Sequence, residues 1–189
     1  MQADTLSGGF AAPPVDAAHA FRAVMRATAR PGTIEAVTGA APPAPLSVAA
    51  GTVLLTLCDP ETPVHLAGDV DCEALRDWIT FHTGAPLVTR AEAMFAIGRW
   101  DALAPLGDYP VGTPEYPDRS ATLIVEIERL EATGAWLTGP GIADTAALSL
   151  PEVAAFQANA RAFPLGLDFL FTCGDRVAAL PRSTRVEGQ

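Results

Sequence analysis

The sequence predicts an α/β fold with three layers, α/β/α, around a mixed sheet that includes a C-terminal antiparallel hairpin. Helix-like and strand-like segments alternate along most of the chain, which is typical of folds in which helices cover a sheet. Apolar residues alternate from 167 to 173, Gly174-Asp175 suits a two-residue turn, and residues 177–180 would return antiparallel. Because 49% of the 189 residues are apolar, the chain can bury a core as a single domain, residues 1–189.

The first helix is predicted from an apolar residue spacing of three to four. Asp16 is expected to be its N-cap, and Arg30-Pro31-Gly32 to end it. The expected core-facing residues are Ala17, Ala20, Phe21, Val24 and Thr28. Residues 1–15 are rich in Gly and Pro and are predicted to form an irregular arm.

Further elements follow from local patterns. Residues 46–58 are apolar nearly all round and predict a buried helix, with a strand at 53–57 as the alternative. Asp71 is expected to cap a helix that Gly84 ends, and Pro151 to open another at its first position, running to Arg161. The strand candidates are 33–37, 64–66, 86–88, 94–98 and 122–127, and a long polar loop covers 107–119.

Charge and composition exclude several classes of partner. A net charge of −10 argues against binding nucleic acid or an anionic membrane surface. No apolar run approaches the ~18 residues of a membrane span, and Met1-Gln2-Ala3-Asp4 does not resemble a signal peptide. The three cysteines are widely spaced, which suits reduced thiols. These observations predict a cytoplasmic protein.

Known catalytic and cofactor motifs are missing from the sequence. All 12 basic residues are arginine, so a pyridoxal phosphate Schiff base and a P-loop lysine are excluded. The sequence has no G-x-S-x-G elbow, and His19, His65 and His82 lack metal-ligand spacing. We therefore expect no cofactor, no metal and no self-sufficient catalytic site.

The loop at 107–119 is the strongest local candidate for a ligand or interface site. It holds Glu115, Tyr116, Asp118 and Arg119 between prolines, directly before a predicted buried strand. Loops of this length in a compact domain are usually functional or disordered, and prolines restrict disorder. The alternative is that both acids cap turns and pair with Arg119.

Other arginines and one aspartate complete the set of candidates. Arg30 shares a helix face with two arginines, as an interface or as a solvated surface. Arg182 and Arg185 flank two hydroxyl residues that could hold a phosphate or an acidic partner, unless this segment is frayed. Asp168 lies in an apolar strand and needs a partner if it is buried; pairing is favoured over catalysis with Glu115.

Six segments of the sequence occur in a characteristic order. They are Ala29-Arg30-Pro31-Gly32, Asp59-Pro60-Glu61-Thr62-Pro63-Val64, Phe81-His82-Thr83-Gly84-Ala85-Pro86-Leu87, residues 112–123, Phe163-Pro164-Leu165-Gly166 and Leu180-Pro181-Arg182. In this order they resemble the PhnH family, whose members are subunits of the bacterial carbon–phosphorus lyase complex. The resemblance runs from about Phe10 to Arg185, and the block at 112–123 is its most specific part.

The resemblance implies a role in organophosphonate breakdown. It implies a homodimer that joins other core subunits in a complex supporting phosphonate transfer to ribose C1 of ATP, with release of adenine. It also implies a fold like the large domain of pyridoxal-phosphate-dependent transferases, without that cofactor. The implied role of such a chain is structural, and no catalytic residues carry over. A phosphonate- or nucleotide-binding module that uses the arginines is the alternative.

Overall fold

The computed structural model describes residues 6–188. The helices are α1 (Pro13–Ala29), α2 (Val48–Leu57), α3 (Glu73–Thr83), α4 (Trp100–Leu103) and α5 (Val153–Arg161). The strands are β1 (Glu35–Ala36), β2 (Val64–Leu66), β3 (Phe95–Arg99), β4 (Thr122–Glu126), β5 (Ala135–Thr138), β6 (Ala146–Leu148), β7 (Asp168–Cys173), β8 (Arg176–Leu180) and β9 (Arg185–Glu187). Short 3₁₀ turns occur in several of the connections.

The central sheet is mixed, as the sequence predicts. Its strand order is β1-β8-β7-β4-β3-β2, in which β2, β3, β4 and β7 are parallel and β8 is antiparallel to β7 and β1. The predicted hairpin is confirmed: β7 and β8 are joined by Gly174-Asp175, with Cys173 opposite Arg176. Gly174 has a φ of +62°, which an L side chain rarely adopts.

Two separate cores confirm the three-layer arrangement. On one face of the sheet, α1, α2 and α3 pack on residues such as Ile97, Ile124 and Leu170. On the other face, α4 and α5 pack on the alternate residues, including Leu123 and Phe169. This division follows from the two-residue period of a strand, because successive side chains point to opposite faces.

A second, three-stranded antiparallel sheet was not predicted. Its order is β6-β5-β9, and it joins α5 in covering the second face. Since Arg185–Glu187 is a strand in this sheet and Thr184 is buried, the alternative of a frayed C-terminal segment is wrong. The predicted strand at 86–88 forms only an isolated bridge between Val64 and Leu87.

Three predicted helix starts are wrong. α1 begins at Pro13 after Ala12, so only residues 6–12 of the expected irregular arm precede the helix among the described residues, and residues 1–5 lie outside them. Asp16 instead accepts a hydrogen bond from the Ala12 N–H at 2.8 Å. Proline is favoured in the first helical turn because its missing N–H would be unpaired there anyway.

The other two helices begin later than predicted. Cys72, rather than Asp71, precedes α3, and Asp71 instead ends a 3₁₀ turn and pairs with Arg76. α5 begins at Val153, so Pro151 lies ahead of the helix and not at its first position.

Two residues expected to face the core on α1, Phe21 and Thr28, are exposed instead. The prediction of a helix at 46–58 is confirmed, which removes the strand alternative, and the Ser47 hydroxyl caps α2 by accepting from the Ala50 N–H at 3.1 Å. Phe21, expected in the core, is 47% exposed, because Ala20, Val24 and Ala27 form the buried face of α1. No helix among residues 6–188 is both long and apolar enough to span a membrane.

Candidate functional site

Asp168 and Arg182 form the most complete polar cluster among the predicted site residues. Asp168 begins β7, and Arg182 follows the end of β8, so the hairpin brings the two together. The guanidinium donates to both carboxylate oxygens, at 2.5 Å and 3.2 Å, and the Arg182 backbone N–H donates at 2.8 Å. The Arg182 side chain is 14% exposed and that of Asp168 is 32% exposed. The prediction that Asp168 pairs with an arginine or the backbone is confirmed.

Arg182 also connects this cluster to the long loop. Its second terminal nitrogen donates to the Pro117 carbonyl oxygen, which lies 65 residues earlier in the chain. The loop is closed at its base by an antiparallel bridge between Val111 and Ser120. Gly112 has a φ of +80°, and a Cβ there would lie 2.7 Å from the Pro117 carbonyl oxygen. The base of the loop is therefore held by the Val111–Ser120 bridge and by Arg182.

The exposed side of the loop carries the other candidates. Glu115, Tyr116, Asp118 and Arg119 are all exposed to solvent. The Arg119 guanidinium lies over the Tyr116 ring, 4.1 Å from its centroid. A cation–π pair of this kind contributes about 0.5–1 kcal/mol at an exposed site. Arg119 therefore contacts the tyrosine, and the expected pairing with Glu115 or Asp118 is not among the ion pairs of residues 6–188.

Arg30 and Arg185 lie beside a different turn. Arg30 is the exposed residue after α1, and Arg185 is exposed on β9 opposite Thr138. Both neighbour the turn at 139–141: a Cβ on Gly141 would meet the Ala29 backbone, and one on Gly139 would approach Thr184. Arg182 and Arg185 thus have different environments: Arg182 is largely buried and paired with Asp168, whereas Arg185 faces solvent.

Sequence reasoning missed a half-buried carboxylate at the carboxyl edge of the central sheet. Glu126 ends β4 and accepts a hydrogen bond from the Ser47 N–H, at the start of α2, at 2.6 Å. Burial raises the pKa of Glu126, and the hydrogen bonds from Ser47 oppose this effect. Nearby, Arg99 lies 3.5 Å from both Asp69 and Glu128. A polar residue near the end of the predicted strand at 122–127 was the available signal in the sequence.

Glu126→Gln is expected to change how stability depends on pH. Since the folded pKa lies above the ordinary value of 4.5, the stabilising contribution is complete below that pH and is lost as pH rises through the folded pKa. The Gln variant should therefore gain stability relative to the wild type over this interval, by about 1.4 kcal/mol per unit of pKa difference. Urea denaturation at several pH values measures this, and the exposed Glu61→Gln serves as the control. Parallel curves for wild type and variant would contradict the assignment.

A cleft along the outer edge of β2 was also missed by sequence reasoning. Its volume is about 900 Å³. Its walls combine apolar side chains with charged ones, of which Arg76 lies on α3 and Arg90 and Glu92 follow Leu87. The lining residues are His65, Leu66, Asp71, Arg76, Leu87, Val88, Thr89, Arg90, Ala91, Glu92 and Asp108.

No group of three or more metal-ligating side chains occurs in the part of the chain that the structure describes. The three cysteines are free, and burial raises the pKa of the Cys58 thiol to about 12. That thiol is therefore protonated at neutral pH and is a poor nucleophile.

The fold and the loop together define an α/β protein with a mixed central sheet and an exposed loop. Arg182, which follows the sheet strand β8, contacts the base of this loop. Comparison with known proteins gives the family. A family model described as "Bacterial phosphonate metabolism protein (PhnH)" matches residues 8–187, and the chain belongs to this family.

Two relatives extend the comparison over nearly the whole chain. The chain is 43% identical to "Alpha-D-ribose 1-methylphosphonate 5-triphosphate synthase subunit PhnH" of Rhizobium meliloti (strain 1021), over 98% of each chain. It is 29% identical to "Putative C-P lyase subunit protein HtxG" of Stutzerimonas stutzeri, over 94% of each chain. Both names describe subunits, which agrees with the resemblance found in the sequence.

Proposed function

We propose that this chain is a subunit of a carbon–phosphorus lyase core complex in organophosphonate catabolism. Its role is to support transfer of methylphosphonate to ribose C1 of ATP by the assembled complex, chiefly through assembly. The observation that carries the proposal is the 43% identity, over 98% of both chains, to the relative named as subunit PhnH of alpha-D-ribose 1-methylphosphonate 5-triphosphate synthase. In this proposal the chain forms a homodimer and binds other core subunits.

The braced loop supports an assembly role. The hydrogen bonds from Arg182 to Asp168 and Pro117 hold its base, while Tyr116 is 51% exposed at its surface. Tyrosine and arginine, together with tryptophan, are enriched among the residues that contribute most to binding at protein interfaces, and a loop held in place loses little entropy on binding. The paired Tyr116 and Arg119 side chains are therefore a suitable contact for another subunit.

Deletion and complementation test the function directly. A strain that lacks this gene should fail to grow on methylphosphonate as its phosphorus source and should still grow on inorganic phosphate. Expression of the chain in trans should restore growth. Growth of the deletion strain on methylphosphonate would remove the proposal.

Removal of the Tyr116 and Arg119 side chains should weaken binding of the partner subunits without unfolding the chain. We expect Tyr116→Ala with Arg119→Ala to reduce recovery of partner subunits in a pull-down at least about tenfold, which corresponds to 1.4 kcal/mol or more of binding free energy. Thermal stability should change little, because both side chains are exposed. Arg129→Ala, which removes another exposed arginine, is the matched control. Full recovery of the partners by the loop variant would place the interface elsewhere.

A further inference from the structure

The largest apolar side chains of α1 point away from the core of the chain. The buried face of the helix is made of smaller residues, namely Ala20, Ala23, Val24 and Ala27. Val15, Phe21 and Met25 instead lie on the outside, where they are 54%, 47% and 52% exposed. Single exposed apolar residues are ordinary, but several of them together on one element indicate a contact surface. The outer side of α1 is therefore an apolar surface that residues 6–188 leave uncovered.

The exposed residues of α1 follow the spacing of a helix-packing seam. Five uncharged residues along the outer side are separated by alternating intervals of four and three. They are Pro14, Ala18, Phe21, Met25 and Thr28, and together they form the outer stripe. The Thr28 hydroxyl donates to the Val24 carbonyl oxygen at 2.9 Å, so this polar group is paired within the helix. Alternation of three and four is the pattern by which one helix packs along another.

Two arginines and a histidine run along one side of the outer stripe. His19, Arg22 and Arg26 line a groove of about 330 Å³ that lies beside Ala36 of β1 and the two residues after it. The Arg26 guanidinium is paired with Glu35 at 2.7 Å. Arg22 is exposed and takes part in no ion pair among residues 6–188. Arg22 is therefore a cation available to a partner.

The charge of this part of the chain is opposite to that of the whole. Residues 17–34 contain no Asp or Glu and hold three of the 12 arginines, although the net charge of the chain is −10. Opposite charges that meet across an interface steer the correct partner and exclude others. A partner that carries carboxylates beside apolar residues therefore matches this surface.

Other occupants fit the surface less well. Antiparallel packing of two copies of α1 would place the arginine side of one helix against that of the other, because a two-fold axis brings equal flanks together. Like charges opposed in this way weaken association. An anionic membrane attracts clusters of basic residues, and the net charge of −10 opposes the approach of this chain to such a surface.

We propose that the outer side of α1 docks an amphipathic helix of a partner subunit. The apolar face of that helix covers Phe21 and Met25, and its Asp or Glu side chains pair with Arg22. The inference rests on the assembly role proposed above and adds the position and chemistry of one contact. This contact is separate from the one at Tyr116 and Arg119, which lie in the loop before β4.

Phe21→Ser combined with Met25→Ser tests the apolar part of the surface. When the tagged chain is co-expressed with the other core subunits, this variant should recover at least one of them about tenfold less well than the wild type. Phe81→Ser, at a position 63% exposed on α3, is the control and should recover all of them. Thermal unfolding should stay close to that of the wild type, because both replaced side chains are about half exposed. Full recovery by the α1 variant would overturn the docking surface.

Arg22→Glu tests the charge of the partner. The variant opposes carboxylates with a carboxylate, so recovery at low salt should fall about tenfold. Arg161→Glu makes the same charge change at an exposed position on α5 and should recover the partners as the wild type does. Added salt should narrow the difference between Arg22→Glu and the wild type, since it screens exposed charges. Equal recovery at low salt would overturn the proposed partner chemistry.

A photocrosslinking residue, p-benzoylphenylalanine in place of Phe21, identifies the occupant. We expect a cross-link to a helix of a partner subunit in which Asp or Glu residues flank an apolar face. A cross-link to a second copy of this chain, or co-sedimentation of the chain with phosphatidylglycerol vesicles, would overturn the inference. If the wild type recovers no core subunit, the assembly role fails as well. If the wild type and the α1 variants recover them equally, only the docking surface fails.

Discussion

Arg182→Ala should lower the free energy of unfolding by about 3 kcal/mol. The substitution leaves the Asp168 carboxylate, only 32% exposed, without the guanidinium that now contacts both of its oxygens. Removing one partner of a buried ion pair costs about 3–5 kcal/mol, and the partial exposure of Asp168 places the loss at the low end. Urea denaturation followed by circular dichroism measures it.

The same variant should also release the long loop. The hydrogen bond from Arg182 to the Pro117 carbonyl is lost, so limited proteolysis should cut within residues 112–119 faster than in the wild type. Asp144→Ala, at an exposed position, is the control. In a double-mutant cycle, Arg182→Ala with Asp168→Ala should cost less than the sum of the single changes. A loss below about 1 kcal/mol would show that the cluster does not hold the hairpin and the loop together.

Phe156→Ala should be the most damaging single change to the core, at about 3–5 kcal/mol. Phe156 is 1% exposed and is the buried residue through which α5 packs on the sheet. Its ring contacts Trp100, Phe169 and Phe171, with centroid separations of 4.8, 4.9 and 5.6 Å. Truncation removes these contacts and leaves a cavity that the rigid strands cannot fill.

Phe81→Ala provides the matched comparison, since Phe81 is 63% exposed on α3. Its cost should stay within about 0.5 kcal/mol, as is usual for surface positions. Both variants are compared by the midpoint and slope of urea denaturation. A loss below about 1.5 kcal/mol for Phe156→Ala would mean that α5 does not depend on this aromatic cluster.

The elements that sequence reasoning found are those with strong local signals. The β7–β8 hairpin combines alternation with a two-residue turn, and α3 combines an apolar face with Gly84 at its end. The strands of the second sheet are three or four residues long, and β5 pairs with β9 from the far end of the chain. Pairing between strands that lie so far apart in the chain leaves no periodic pattern in a short stretch of the sequence.

The candidate site also contains features with a local signal in the sequence and features without one. Asp168 was expected to need a partner because an acid in an apolar strand does, and the hairpin supplies Arg182. Glu126 was missed because its hydrogen-bond partner, Ser47, is 79 residues away in the chain. The cleft beside β2 was missed because the position of β2 at the edge of the sheet follows from the strand order. Contacts that depend on tertiary structure are not encoded in local spacing.

The proposed role of this chain as one subunit of a larger phosphonate-processing complex can be tested directly. The measurement is the native mass of the tagged chain, expressed alone and then together with the other core subunits. We predict a homodimer alone and incorporation into a stable larger complex on co-expression. A chain that keeps the same mass in the presence of those subunits would contradict this role.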